Sequence, residues 1–464
     1  MRDTLGMHRH DSSTEVLTQA VLRYAVDRVR MHPPPLDHPR SPDELSHMVG
    51  RTVTEQGIGG LEALRVFSEV LAPACISIDH PKFLSFVPAA PTEASVLFDL
   101  VVGASSIYAG SWLEGGGAIF AEGQALRWIA DLAGMPPEAG GAFVSGGTAG
   151  NLSALIAARW IWRHEADGRF DRTRGLMITS DGAHSSVASA GRAMDADVVM
   201  VPADARGRMQ RQELVDTIAG LDAADRERVF AVVATGGTTN AGMIDDLAGA
   251  ADVCDDNGLW LHVDGAYGGA ALAAPSVRQR FVGIERADSF IVDPHKWLFA
   301  PFDCCALVYR NPQIAKAAHT QHAEYLDVLH EGADGEQVWN ASDYAHHLSR
   351  RARGLPLWFS LATYGTAAYS DAVETTLRIA HEGADLIRAS EHCELVLEPE
   401  LSVVVFRRVG WTDEQYTAWS DLQLDTGQSF IVPTSWRGET VLRYCVVNPL
   451  TTIDDIADVI ESLR

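Results

Sequence analysis

Lysine is nearly absent from this chain. Of 37 basic residues only Lys82, Lys296 and Lys316 are lysines; the rest are arginines. Arginine stays protonated in proteins and cannot act as an amine nucleophile, so each retained lysine marks a position to inspect. Long apolar runs are missing too. Those present are broken by Gly, Asp or Arg and fall short of the roughly 20 residues that a membrane-crossing helix needs. Met1 to Asp11 has no apolar core of the signal-peptide kind, and a cytoplasmic protein with no membrane partner is expected. Positive charge is in deficit: the formal net charge of −25 argues against nucleic acid as a partner. Cysteine is sparse and poorly spaced for metal. Cys75, Cys254, Cys304, Cys305, Cys393 and Cys445 include no CxxC pair, so neither a metal site nor a disulfide framework is expected.

What remains is a globular composition, 47% hydrophobic over 464 residues, enough for two or three packed regions. Residues 1–75 read as a helical arm, with Val16, Leu17, Ala20, Val21 and Tyr24 at helical spacing. The proline-rich stretch 32–42 interrupts it, and Ser41 with Glu44 three residues later reads as a new helix start. This arm has little core of its own and is expected to pack on another subunit or on the main body. Residues 76–370 read as a large α/β domain. Its short apolar strands are expected at 141–144, 176–179, 198–201, 229–235, 260–263, 290–292 and 306–309. Strands this short, separated by helices, point to a mainly parallel seven-stranded sheet with helices on both faces. Residues 371–464 read as a small α+β domain, with helices at 372–389 and 453–463 and strands at 403–407 and 442–447.

Polar motifs fall at the carboxyl ends of the expected strands, where ligands of such sheets bind. In DPHKW, Lys296 follows a buried strand among aromatic neighbours, where desolvation should lower its pKa and free the amine for imine formation. In WLHVDGAYGG, Asp264 ends an apolar strand and needs a partner for its buried carboxylate. A cationic ring nitrogen is one candidate; a turn cap is the other. VSGGTAGN places Gly146, Gly147 and Thr148 at a helix start able to take an anion. It lacks the Gly-Lys-Ser/Thr of a nucleotide-binding loop. His184 in SDGAHSS either stacks on a flat cofactor or is structural. Thr238 and Thr239 in ATGGTT either reach a ligand or close a turn.

Taken together and in this order, the motifs resemble those of the group II pyridoxal 5′-phosphate (PLP) dependent decarboxylases, the aromatic-L-amino-acid decarboxylase family within fold type I. The resemblance extends from about His80 to the C-terminus and adds HPKFLSFVP, ADSFIVDPHKWL, RRARGLPLWF and LRYCVVNPLTT. It implies a fold type I, transferase-like α/β architecture. Lys296 then forms the internal aldimine with PLP, Asp264 pairs with the pyridine nitrogen, and His184 stacks on the ring. Gly147, Thr148 and His295 hold the phosphate and Thr239 lies near the ring. The implied reaction is decarboxylation of an L-amino acid to the amine through a quinonoid intermediate. The implied assembly is a homodimer with shared active sites. The alternatives on the same scaffold are an aldehyde synthase or oxidase and an aminotransferase-like activity.

Two further readings follow from the resemblance. The family reprotonates Cα with a tyrosine on a mobile loop. Tyr344 in SDYAHHLSRR is the candidate here, although the segment before the arginine pair is shorter than the family's, and Tyr325 in AEYLDVLH reads as structural. For the substrate pocket, Phe86 and Val87 stand where two larger aromatics are common; SIYAGSW contributes Tyr108, and Gly110 where a phenylalanine often falls. A roomy pocket for an aromatic or bulky apolar amino acid is expected.

Overall fold

The computed structural model describes residues 6–321 and 338–464. Its centre is a seven-stranded sheet built from β1 (Gly140–Val144), β2 (Leu176–Ser180), β3 (Asp197–Val201), β4 (Val229–Thr235), β5 (Trp260–Asp264), β6 (Ser289–Val292) and β7 (Cys305–Tyr309). The spatial order is β1-β7-β6-β5-β4-β2-β3. Strands from β3 through β6 pair in parallel, and β7 runs antiparallel to both of its neighbours. The sheet is therefore fold type I in plan and mainly parallel, as its short apolar runs indicate.

Burial on both faces explains those runs. All seven residues of β4 are buried, because separate apolar cores cover the two sides of the sheet. In β5 the alternation assigns each residue to a side. Leu261 and Val263 enter one core, while Trp260 lies in the other. The two-residue repeat puts His262 and Asp264 on Trp260's side, beneath the helix Gly147–Glu165.

A second, four-stranded antiparallel sheet follows, formed by β8 (Cys393–Leu395), β9 (Val403–Arg408), β10 (Pro433–Trp436) and β11 (Glu439–Cys445) in the order β10-β11-β9-β8. Helices Thr366–Ala389 and Ile453–Glu461 pack on it. The edge strands β8 and β10 were not expected from sequence. One is three residues long with Glu394 facing solvent, and the other opens on a proline, which an edge tolerates.

The N-terminal helices are capped as their sequence dictates. Ser41 Oγ accepts from the Glu44 N–H at 3.2 Å, and Glu44 Oε2 accepts from the Ser41 N–H at 2.8 Å. The helix Ser12–Val29 buries none of its residues and leaves Val16, Val21, Leu22 and Val26 exposed. Among the described residues, no helix is long and apolar enough to cross a membrane.

Buried titratable groups in this fold oppose one another. Burial pushes His319 down to about 4, and the same cause pushes Asp288 up to about 6 and Asp245 up to about 7. Between those values and the ordinary pKa of each group, the histidine makes stability fall as pH drops, and the acids make it rise. Replacing one group exposes its share. His319→Gln keeps a donor for the Ser153 carbonyl, now 3.0 Å from Nε2. Relative to the parent it should gain stability by up to about 1.4 kcal/mol per pH unit as pH falls from 6.5 toward 4. Denaturant unfolding at pH 7 and pH 5 measures this, and a pH-independent difference would refute the buried neutral imidazole.

Candidate active site

The carboxyl ends of β4, β5 and β6 lie side by side, with Thr235 opposite Asp264 and Asp264 opposite Ile291. They open on a cavity of about 620 Å³. Gly147, Thr148, His184, Thr239, Asp264, His295 and Lys296 all line it.

Lys296 reaches the cavity from the single helical turn Pro294–Trp297 that follows β6. Asp293 caps this turn, and its Oδ2 lies 2.9 Å from Lys296 Nζ. The expected depression of the lysine pKa is not what the structure shows. Burial does act downward, but the Asp293 carboxylate, with Asp264 farther off, outweighs it and raises the pKa above the ordinary value. That direction favours the ammonium in the cofactor-free chain, where it is paired with Asp293. The i,i+3 spacing of Asp293 and Lys296 in DPHKW was the available sequence signal for this pair.

Asp264 is 5% exposed, and both its oxygens are engaged. Oδ2 accepts from Asn151 Nδ2 at 2.8 Å and Oδ1 from the Ala266 N–H at 3.1 Å. It also caps a tight turn, so the two readings of this residue coexist. His184 precedes the helix Ser185–Met194 and uses Nδ1 as its N-cap acceptor, 3.2 Å from the Ser186 N–H. This fixes the ring at the cavity wall.

The far end of the cavity is built for an anion. The helix Gly147–Glu165 has no side-chain cap, and its first residues line the cavity, leaving N–H groups for a ligand. A Cβ on Gly147 would come within 3.1 Å of Ala266 Cβ and 3.2 Å of Asp293 Oδ2, so any side chain there would press on both neighbours. His295 is buried beside it, with Nδ1 2.7 Å from the Cys304 carbonyl. The two threonines divide: Thr238 closes a turn by accepting the Met243 N–H at 3.1 Å, whereas Thr239 faces the cavity.

Five residues read from sequence as site residues are not brought to this cavity. Tyr344 is 1% exposed in the apolar core, its ring stacked on Trp339 at 4.0 Å between centroids. A side chain packed this way is not free to deliver a proton. Tyr325 lies outside the described residues. Phe86 packs against Phe83 and Phe430 and is 58% exposed, and Val87 packs on the main core. Tyr108 donates from its hydroxyl to the Leu348 carbonyl at 2.8 Å, and its ring occupies the space where a Gly110 side chain would stand. A side chain at position 110 would collide with the Tyr108 ring that covers it. Sequence reasoning in turn missed Leu152, Phe302, His346 and His347, which line the cavity from segments with no motif-like spacing.

These residues fit PLP. Among the described residues, two buried polar atoms of lining residues, Asp293 Oδ1 and Thr235 Oγ1, have no hydrogen-bond partner. An uncapped helix start suits a phosphate, a buried carboxylate suits a cationic ring nitrogen, and a primary amine shares the cavity with both. The sheet and this site define a PLP-dependent enzyme of fold type I. The chain belongs to the pyridoxal-dependent decarboxylase family: the pattern described as "Pyridoxal-dependent decarboxylase conserved domain" matches residues 58–409. It is thus a carboxy-lyase by class, with PLP as cofactor. The chain is 29% identical over 432 residues to the aromatic-L-amino-acid decarboxylase of Bacillus atrophaeus, covering 91% of this chain and 88% of that one. Its fold matches the crystal structure of Oryza sativa TDC with PLP and tryptamine at a TM-score of 0.90, with 23% identity, over 98% of this chain and 97% of that one. It also matches Rhodiola rosea 4-hydroxyphenylacetaldehyde synthase at 0.85, with 21% identity, over 97% of each chain.

Proposed function

We propose that this enzyme converts an aromatic or bulky apolar L-amino acid to its amine and carbon dioxide. The observation that carries the reading is the single cavity shared by Lys296 Nζ, the Asp264 carboxylate, His184 and an uncapped helix N-terminus. Lys296 anchors the cofactor and yields its place to the substrate amine. The N-terminal turn of Gly147–Glu165, with Thr148 and His295, holds the phosphate, and Thr239 borders the ring. Asp264 meets the ring nitrogen and His184 forms one face of the ring site. When bound, PLP supplies the cationic heteroaromatic system that takes up the electron pair left at Cα as carbon dioxide departs.

The cavity wall supports this substrate class. Leu152 and Phe302 line it, no described arginine does, and Asp303 is engaged by Arg353 at 2.7 Å. A substrate bearing a second carboxylate would meet no unengaged guanidinium there. Mass spectrometry of products across the common L-amino acids tests the proposal. Amine from an aromatic or bulky apolar substrate supports it. Aldehyde with peroxide and ammonia would select the synthase reading, and a keto acid the aminotransferase one.

The proton returned to Cα is assigned by elimination. With Tyr344 packed against Trp339 and Tyr309 fully buried in β7, Tyr325, outside the described residues, is the tyrosine between Lys296 and Arg350 left to test. Tyr344→Phe is expected to keep amine turnover within about threefold of the parent. Tyr325→Phe should keep PLP and lose about 100-fold or more in amine yield, the scale of a lost general acid. The reverse order of effects would return the assignment to Tyr344.

The active unit is proposed as a cytoplasmic homodimer, with residues 1–75 as a dimerisation arm, 76–370 as the cofactor domain and 371–464 as the small domain. The exposed apolar face of Ser12–Val29 supports this, as do Leu97, Leu100, Val101, Leu113 and Phe120 on the helices Glu93–Ser105 and Trp112–Leu132. Phe86 and the 106–112 segment then serve the partner's cavity rather than their own.

A further inference from the structure

We infer that Asn151 and His262 are positioning residues, the hub of a one-way hydrogen-bond relay that sets Asp264 and His184 together. The inference rests on PLP being the cofactor of this cavity. The direction of each bond follows from the donors available. Trp260 Nε1–H can only donate, and it reaches Ser289 Oγ at 2.9 Å. Ser289 Oγ lies 2.8 Å from His262 Nδ1, and the direction of that bond is set from the other end, where the Asp264 carboxylate can only accept and so takes the Asn151 Nδ2–H. Burial keeps His262 neutral, with its pKa pushed down to about 4, so its one proton sits on Nε2. That N–H meets Asn151 Oδ1 at 2.9 Å. The amide is thereby turned with Nδ2 toward the cavity, where it donates to Asp264 Oδ2 at 2.8 Å and to Ser186 Oγ at 2.9 Å. Ser186, accepting from the amide, gives its own proton to His184 Nδ1 at 2.9 Å. His184 Nδ1 is thereby the acceptor, and Nε2 is the nitrogen left for a ring N–H.

Every member of this relay apart from His184 is buried. Their shared feature is polarity. Reversing the Asn151 amide would aim an oxygen at the Asp264 carboxylate and remove the donor that orients Ser186. The Asp264 carboxylate itself opposes that reversal, and His262 opposes it from the other side by presenting an N–H to Oδ1. The imidazole, one bond behind the cavity-lining Asn151, thus helps to hold both the acid and the ring-facing histidine.

The test uses the full-length enzyme and measures PLP affinity alongside kcat and KM. His262→Leu should bind PLP about tenfold more weakly and lose about tenfold or more in kcat, with KM changed less than about threefold, the scale seen when an outer-shell partner is removed. His262→Gln, whose amide can donate to Asn151 and accept from Ser289, should recover most of both. Ser186→Ala cuts only the His184 branch and should lower kcat while leaving PLP affinity within about twofold. If His262→Leu does not fold, Asn151→Asp carries the test, because a carboxylate offers Asp264 no N–H. Parent-like PLP affinity in the folded variant, or equal losses in His262→Leu and His262→Gln, overturns the inference. A parent enzyme that binds no PLP would instead overturn the cofactor assignment on which it rests.

Discussion

Lys296→Ala is expected to fold, to lose borohydride trapping of PLP at this position, and to lose amine formation by on the order of 10³-fold or more, the scale at which loss of a covalent participant registers. The amine is the only lysine in the cavity and its ion pair with Asp293 is local to one helical turn. Alanine is well tolerated in that turn and leaves Trp297 in the core with its Nε1 bonded to Thr376 Oγ1 at 2.8 Å. Loss of function should therefore come without loss of structure, which circular dichroism and thermal unfolding would verify. Arginine at the same position keeps the charge opposite Asp293 and supplies no amine nucleophile, so Lys296→Arg should be as inactive. Cofactor trapped at Lys82 or Lys316 in the parent would refute the assignment.

Asp264→Asn is the second large effect. An amide in place of the carboxylate turns one of the two acceptors into a donor. It then faces either Asn151 Nδ2 or the Ala266 N–H, both of which are also donors. Leaving a buried donor without an acceptor costs about 1–3 kcal/mol. The functional loss is larger, because the charge proposed to face the ring nitrogen disappears. We expect kcat to fall by on the order of 10²- to 10³-fold, the scale of one lost electrostatic stabiliser. PLP affinity should weaken as well. Asp264→Glu keeps the charge but lengthens the side chain in a buried slot, and should not restore the parent values. An Asp264→Asn enzyme with parent-like kcat would separate this carboxylate from the reaction.

Much of the architecture was legible because burial leaves a plain signature. The limits of β4 were readable to the residue, since seven consecutive apolar or small residues end at a glycine pair. The cavity residues were legible for a different reason: each follows a strand, so their convergence required only a parallel sheet. Lys296, Asp264, His184, Thr239, His295 and the Gly147–Thr148 pair share one cavity on that ground. The failures share a cause as well. Gly110 looked like a space left for substrate until Tyr108 was seen to fill it, and Tyr344 looked mobile until Trp339 was seen against its ring. Both depend on contacts that no spacing rule encodes. Charge balance at Lys296 was misjudged because burial was considered without Asp293, three residues away in the same motif.

The placement of Trp260, His262 and Asp264 on alternate positions of β5 has an evolutionary consequence. Side chains on a strand change sides with every residue, so adding or deleting one residue in these five would hand the acid and its imidazole to the opposite layer of the molecule. No gradual route repairs such a slip. Drift in this stretch should therefore proceed by substitution at Leu261 and Val263, which occupy the other side, while its length stays constant.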